Sequence, residues 1–371
     1  MRTCGQPGGQ GGQARPRIVF VVMSAVAPAA TVEQLAQALA PHTVLVHHDF
    51  SQAPDFRLDS PNVAFVPEPR RTGWGVWGFT DGIFHALRHA VAHHDFDYLQ
   101  LLSPSCLPIK PMARFEAHVQ GPADAHFECV DLLADRDALM SVGYRAFTPE
   151  HSWRHRVLRR LSREYFGQAW GRRDEAGIWL RSGGRSGPLS WLALGATRAL
   201  SQPQLGRHPF DASFRPYYGS VWFGARRHVV ASLLDGFDRS GVREYFCRLR
   251  IAEEFLVPSL LMQARPARGP LNHFIQRFDE AHPGKLVEEH LDLLRASPAF
   301  FARKFPNDAE ARVRVRVLQE LCDPAAPGAA PMREDPLPLH TQAGELAAPT
   351  HRPARPLGGP APLGGGAVGP A

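Results

Sequence analysis

The sequence predicts an α/β fold built on a mostly parallel central sheet, and three observations carry that reading. Ile18 to Val22 is an unbroken apolar, largely β-branched run, as a central strand buried on both faces requires. Between residues 18 and 102, strand-like and helix-like segments alternate. The segment 81–93 repeats apolar residues at Ile83, Phe84, Leu87 and Val91, the period of a helix with one buried face. In order, the chain reads as a strand over 18–23, a helix over 32–40, a strand over 43–47, a short strand over 62–66, the helix 81–93, and a strand over 97–102 ending in the turn "SPSCLP". Such a βαβ rhythm places ligands at the carboxyl ends of the strands.

The chain has 371 residues, 44% hydrophobic and 21% charged, enough for one large α/β domain or two ordinary ones. A net charge of +6 and a pI near 9.3 point to an anionic ligand or surface without choosing among nucleic acid, membrane and phosphate. The five cysteines (Cys4, Cys106, Cys129, Cys247, Cys322) are scattered and form no CxxC pair, which argues against a disulfide framework or a zinc site and for a reducing compartment. Residues 1–16 read as a disordered leader, 17–322 as one domain and 323–371 as a disordered tail, with 11 Pro and 8 Gly from Pro324 onward. The run "IVFVVMSAVAPAA" is too short to span a bilayer. It can imitate a signal peptide behind Arg15 and Arg17, but a buried first strand is the preferred reading. Further on, "HSWRHRVLRRLSREYF" reads as a basic amphipathic helix with Trp153, Val157, Leu158, Leu161 and Tyr165 on one side. Its simpler reading is a surface helix packing that stripe on the domain; its sharper one is peripheral contact with an anionic membrane surface.

One short stretch poses a chemical question. "SPAFFARKF" (297–305) sets Arg303 and Lys304 inside an apolar frame. A buried cation without a partner is costly, so these side chains either snorkel to solvent or await an anion. Two carboxylates, Glu253 and Glu254, open another apolar segment, "RIAEEFLVPSLL", as suits a helix start. Before them come "VLVHHDF", "VWGFTDGIFHALRHAV", "DFDYLQLLSPSCLPIKP" and "YYGSVWFGARRHVV". In this order the segments resemble the core-2/I-branching β-1,6-N-acetylglucosaminyltransferase family, which includes protein xylosyltransferases and plant relatives. Its members show "HVD", "WGG.S", "LSG.DYPI", "GS.WF", "PDE" or "PAE" before "F..T.L", and "FA.KF". The resemblance covers residues 18 to 306.

The resemblance implies a GT-A-like, Rossmann-type domain that transfers a sugar from a UDP-sugar, with inversion and without a metal or other cofactor. It places Glu254 on the general base, Ser259 on the family threonine and Lys304 on the lysine meeting the donor diphosphate, with Arg303 beside it. Donor binding would further involve Ser24, Asp49 at the uridine end, Arg71, and His273 where the family has a cation. Tyr218, Ser220, Trp222 and Glu253 would line the acceptor side, core packing being the other reading for Trp222 and Phe223. The sequence departs from the family at Cys106, where an aspartate is usual and plant relatives have "SESC.P". It departs again at His273; since a histidine is only partly charged at neutral pH, Arg303, Arg277 or Arg268 would have to help with phosphate. The two Asp-x-Asp matches, Asp95–Asp97 and Asp135–Asp137, sit in poor context for metal binding, and His47 and His48 read as strand-end packing.

The partners expected are a UDP-sugar, most simply UDP-N-acetylglucosamine, and a saccharide or lipid-linked saccharide acceptor. The setting expected is cytoplasmic, with peripheral contact at the inner membrane face open to the basic helix. UDP-xylose on the same scaffold and a saccharide-binding relative without turnover are the rivals. Nucleic acid ranks low, because "ARVRVRV" (311–317) offers cations without aromatics for stacking.

Overall fold

A computed structural model describes residues 15–166, 171–172, 178–181, 187–276 and 283–323. The chain divides into two units, 1–329 and 330–371, and the second lies outside the described residues, as do residues 1–14 of the expected leader and most of the expected tail. Arg15 already donates to Glu116, so the described part of the leader bonds the folded unit.

The first half follows the alternation. Strand β1 (Ile18–Ser24) leads through helix α1 (Ala29–Ala38) to β2 (Thr43–His48) and β3 (Val63–Phe65); helix α2 (Trp77–His93) leads to β4 (Tyr98–Leu102). Then come β5 (Leu107–Pro108), α3 (Met112–Val119), β6 (Ala125–His126), β7 (Cys129–Asp131) and the helices α4 (Arg136–Phe147) and α5 (Trp153–Phe166). A small hairpin, β8 (Gly171–Arg172) and β9 (Trp179–Leu180), precedes α6 (Pro188–Leu200) and α7 (Pro203–Gly206). The last third holds β10 (Tyr217–Gly219), β11 (Gly224–Arg226), α8 (Arg227–Phe237), α9 (Val242–Phe246), α10 (Glu253–Gln263), β12 (Arg268–Gly269), β13 (His273–Ile275), α11 (Leu291–Ala296), β14 (Phe301–Arg303) and α12 (Arg312–Val317). Two helices start earlier than expected, α1 by three residues and α2 by four, because their first turns precede the apolar stripe that marks them in the sequence.

Seven strands form the central sheet in the order β12-β6-β11-β4-β1-β2-β3. It is mostly parallel; β11 runs antiparallel to both neighbours. Gly224 permits that insertion, since a Cβ there would lie 2.2 Å from the Tyr98 hydroxyl and 2.4 Å from Gln100 Oε1. β1 is buried on both faces: Val19, Val21 and Met23 pack with Ile83, Phe84 and Leu87 of α2, while Ile18, Phe20 and Val22 pack with Val32 and Leu35 of α1. The second core also takes in Phe301, Ala302 and Phe305, so the apolar frame around Arg303 and Lys304 is an integral part of it.

That frame belongs to a smaller sheet, β13-β14-β5, tied to the main one by buried polar contacts. Asn272, 1% exposed, donates to the Tyr98 hydroxyl (3.0 Å) and to Gln100 Oε1 (2.9 Å), and its carbonyl accepts from the amides of Phe300 and Phe301. Arg314 of α12 is wholly buried and donates to Gln34 Oε1 (2.7 Å) and to the carbonyls of Thr31 and Pro306. Burial lowers its guanidinium to about 10. In the "ARVRVRV" stretch this arginine therefore clamps the segment that follows Lys304.

Helix α5 corrects the expected stripe. Leu158 and Tyr165 face inward with His155 and Ser162, whereas Trp153 and Val157 are 65% and 48% exposed. Trp153 and Leu158 are five residues apart, well over a third of a turn beyond a whole one, and so cannot share a face.

Candidate active site

A cavity of about 580 Å³ opens where Ser24, ending β1, and Ser103, following β4, reach its wall. β1 has β2 on one side and β4 on the other, the strand-order switch at which open α/β sheets hold ligands. Distant stretches converge there: Gln52 and Thr72 to Gly75 from the loops, Arg145 from α4, Tyr218 to Trp222 in and after β10, Glu253 and Glu254 from α10, and Arg303 with Lys304.

The two carboxylates occupy the first turn of α10, where the helix macrodipole favours negative charge. Their surroundings differ. Glu253 is 5% exposed and accepts from the Thr80 hydroxyl at 2.9 Å. Burial, reinforced by the charge of Glu254, pushes its carboxyl up to about 7. Glu254 is more open, and its Oε2 accepts from Arg145 Nη2 at 2.8 Å. Burial alone would lower Arg145, yet Glu254 and the Tyr218 hydroxyl hold it above its usual range. The same burial, with Glu254 close by, raises the Tyr218 phenol. The two adjacent carboxyl groups thus sit in different surroundings, one buried against Thr80 and one paired with a guanidinium.

Backbone strain sits directly before this pair. Ile251 has φ of +51°, a conformation unfavourable for a β-branched residue. Its amide donates to the carbonyl of Gly75, so the 250–252 turn docks on the 72–75 loop. Gly78 lets that loop close, since a Cβ there would lie 2.1 Å from the carbonyl of Arg71.

Another part of the lining is cationic. Arg303 lies over the Trp222 ring, 4.6 Å from its centroid, and its Nε is buried without a hydrogen-bond partner. Desolvation lowers its guanidinium, with Glu254 near enough for its charge to act in the other direction. Lys304 is half-buried and lowered by desolvation and by the charges of Arg303 and Lys285. This stretch is thus short of negative charge.

Ser24, Tyr218, Ser220, Trp222, Glu253, Glu254, Arg303 and Lys304 all reach the cavity; Asp49, Arg71 and His273 do not line it. Asp49 is 2% exposed and accepts from Ser51 N and Oγ, Gln52 Nε2, and Thr72 N and Oγ1. Burial alone would raise its carboxyl, but these donors hold it well below the usual carboxylate range. Its bonds are spent fixing Gln52 and Thr72, which do line the cavity. His273 is buried behind Trp222 with neither ring nitrogen bonded, and burial together with Arg303 lowers it to about 3, so it brings no charge to a phosphate. Arg71 is exposed, Arg268 lies over the Phe127 ring, and Arg277 is outside the described residues. Trp222 is a buried ring that also lines the cavity beneath Arg303, whereas Phe223 is core.

The remaining sequence features have structural partners. Asp95 and Asp97 pair with Arg17, and Asp135 caps α4 by accepting from Ala138 N. Cys106 Sγ accepts from Ser103 N inside the "SPSCLP" turn. His47 Nε2 accepts from Arg70 N, and His48 Nδ1 meets Ser24 Oγ. Ser259 Oγ accepts from Tyr217 N and so ties α10 to β10. Arg145 and Thr80 were not foreseen from the sequence; no spacing marks either, and each meets its glutamate only through the fold.

No protein-family model and no curated protein matches this chain.

Asp49→Ala is expected to lower folding stability by about 3 kcal/mol, since hydrogen bonds to a charged group contribute about 1.5–3 kcal/mol each and the part-buried donors of Ser51, Gln52 and Thr72 lose their acceptor. Denaturant unfolding checks this, and a change under about 0.5 kcal/mol would contradict the clamp. A second prediction concerns Glu253, whose carboxyl binds its proton more tightly in the folded state. Its contribution to stability is complete below the unfolded value of 4.5 and is lost as pH rises through about 7. Unfolding midpoints should thus fall across that window by the equivalent of roughly 3 kcal/mol, and Glu253→Gln should remove that component. An unchanged slope in the variant would contradict it.

Proposed function

We propose that this protein is a GT-A-like glycosyltransferase that moves a sugar, with inversion, from a UDP-sugar to a hydroxyl of a saccharide acceptor. The observation that carries the reading is Arg303: a guanidinium with a buried, unpartnered Nε, beside Lys304 and lining the same cavity as a carboxylate pair. A diphosphate supplies the anion that this wall lacks, and preorganised cations aimed at a leaving group are a strong source of catalysis. In the step proposed, the acceptor oxygen bonds to the anomeric carbon as its bond to the diphosphate oxygen breaks. The electron pair leaves with UDP toward Arg303 and Lys304. The acceptor proton passes to Glu254, whose Oε2 is held by Arg145.

UDP-N-acetylglucosamine is the donor proposed first, with UDP-xylose as the alternative on the same scaffold. Basic side chains take the place of a metal in this reading. Incubating the full-length protein with UDP-N-acetylglucosamine and UDP-xylose and measuring released UDP, with and without excess EDTA, tests it. Release that persists in EDTA is expected. Loss of release that manganese restores would overturn the metal-free step, and UDP binding without any release would return the protein to a saccharide-binding role.

A further inference from the structure

The sequence between Trp153 and Arg207 holds eleven arginines against three acidic residues, a net of +8, more than the +6 of the whole chain. The structure lays α5 and α6 side by side on α4, with α7 beyond. Six exposed large apolar residues lie on these three helices: Trp153, Val157, Leu189, Trp191, Leu192 and Leu205, from 48% to 65% exposed. Such clustering marks an interaction surface rather than the usual scatter of single apolar side chains.

Charge and apolar tips share the outward face. On α5, Trp153, Arg156, Val157, Arg160 and Arg163 recur at three- and four-residue spacing and are all exposed. Arg156, Arg159 and Arg163 have no carboxylate partner among the described residues, and Glu164 is engaged by Arg160. Arg136 of α4 lies over the Trp191 ring of α6, 5.1 Å from its centroid, so a cation and an aromatic meet there as well.

We propose that the outer face of α5 and α6 docks on an anionic lipid bilayer, Trp and Leu tips entering the headgroup region and arginines meeting the lipid phosphates. Tryptophan and leucine protruding among arginines are the chemistry of an interfacial helix. A nucleic acid would use the arginines but gives the leucines no partner. Arg159 of α5 also lines the cavity, so docking brings the bilayer toward its mouth. That a lipid-borne acceptor would profit rests on the transferase reading; the docking does not.

Sedimentation of the full chain with phosphatidylcholine vesicles, with and without phosphatidylglycerol, tests the proposal. Binding is expected only with the anionic lipid. Arg156→Gln with Arg163→Gln should weaken it about fivefold per arginine. Trp191→Ser with Leu192→Ser should weaken it by at least about tenfold. UDP binding and melting temperature, measured on the same variants, should stay unchanged. Equal binding to neutral vesicles, no binding at all, or variants that sediment like the parent would overturn the proposal. So would a dimer dissolved by the Trp191/Leu192 pair, or single-stranded DNA that displaces the vesicles from the same arginines. Each outcome leaves UDP binding untouched, so this failure is distinct from failure of the transferase reading.

Discussion

Glu254→Gln is expected to reduce transfer by about 10²- to 10⁴-fold, the usual contribution of a positioned general base. Glutamine keeps the size and one acceptor oxygen for Arg145, but it cannot take the acceptor's proton. Arg145 is largely buried and loses its counter-charge, so melting temperature should fall as well. Activity is therefore compared at a temperature where both proteins are folded. UDP affinity should change little, since Arg303 and Lys304 hold the diphosphate in this account. Glu253→Gln is the control. It shares the helix start and the cavity but not the partnership with Arg145, and its effect on transfer should be smaller. Equal, modest losses in both variants would mean that the pair serves the helix start and the base lies elsewhere.

Arg303→Met is expected to weaken UDP binding without loss of stability. A guanidinium whose Nε is buried without a hydrogen-bond partner costs free energy that a methionine of similar length does not, and apolar replacements of buried charges are often neutral or stabilising. The contact with Trp222 is lost, a term of about 0.5–2 kcal/mol. Melting temperature should thus hold or rise slightly. UDP affinity should fall by about 10- to 100-fold, one charge-assisted contact of about 1.5–3 kcal/mol. Lys304→Ala should weaken UDP similarly without the gain in stability, since Lys304 is only half-buried. Loss of stability with unchanged UDP affinity in Arg303→Met would make Arg303 a structural cation.

What the sequence revealed and what it hid follow from where each signal resides. The unbroken run at Ile18 to Val22 marks a strand buried on both faces, and β1 is one. The apolar frame of "SPAFFARKF" implies burial of the segment with its cations short of a partner, and Arg303 is in that state. Adjacent acids before an apolar run imply a helix start, as at α10. Partners distant along the chain left no trace: Arg145 meets Glu254 across 109 positions and Thr80 meets Glu253 across 173. The aspartate at position 49 was legible as a residue at a strand end, but the five donors that occupy it were not. For His273, sequence offered a position and not a depth; burial behind Trp222 removes its charge. The antiparallel β11 is three residues long, too short to carry a period.

The central claim is that the Arg303–Lys304 wall receives the diphosphate of a nucleotide sugar. Calorimetric titration of UDP and of uridine into the full-length protein, both in EDTA, tests it most directly. The account predicts that UDP binds at least about tenfold more tightly than uridine and that Arg303→Met removes most of the difference. Equal affinities for the two, or a preference for UDP that survives Arg303→Met and Lys304→Ala together, would contradict it.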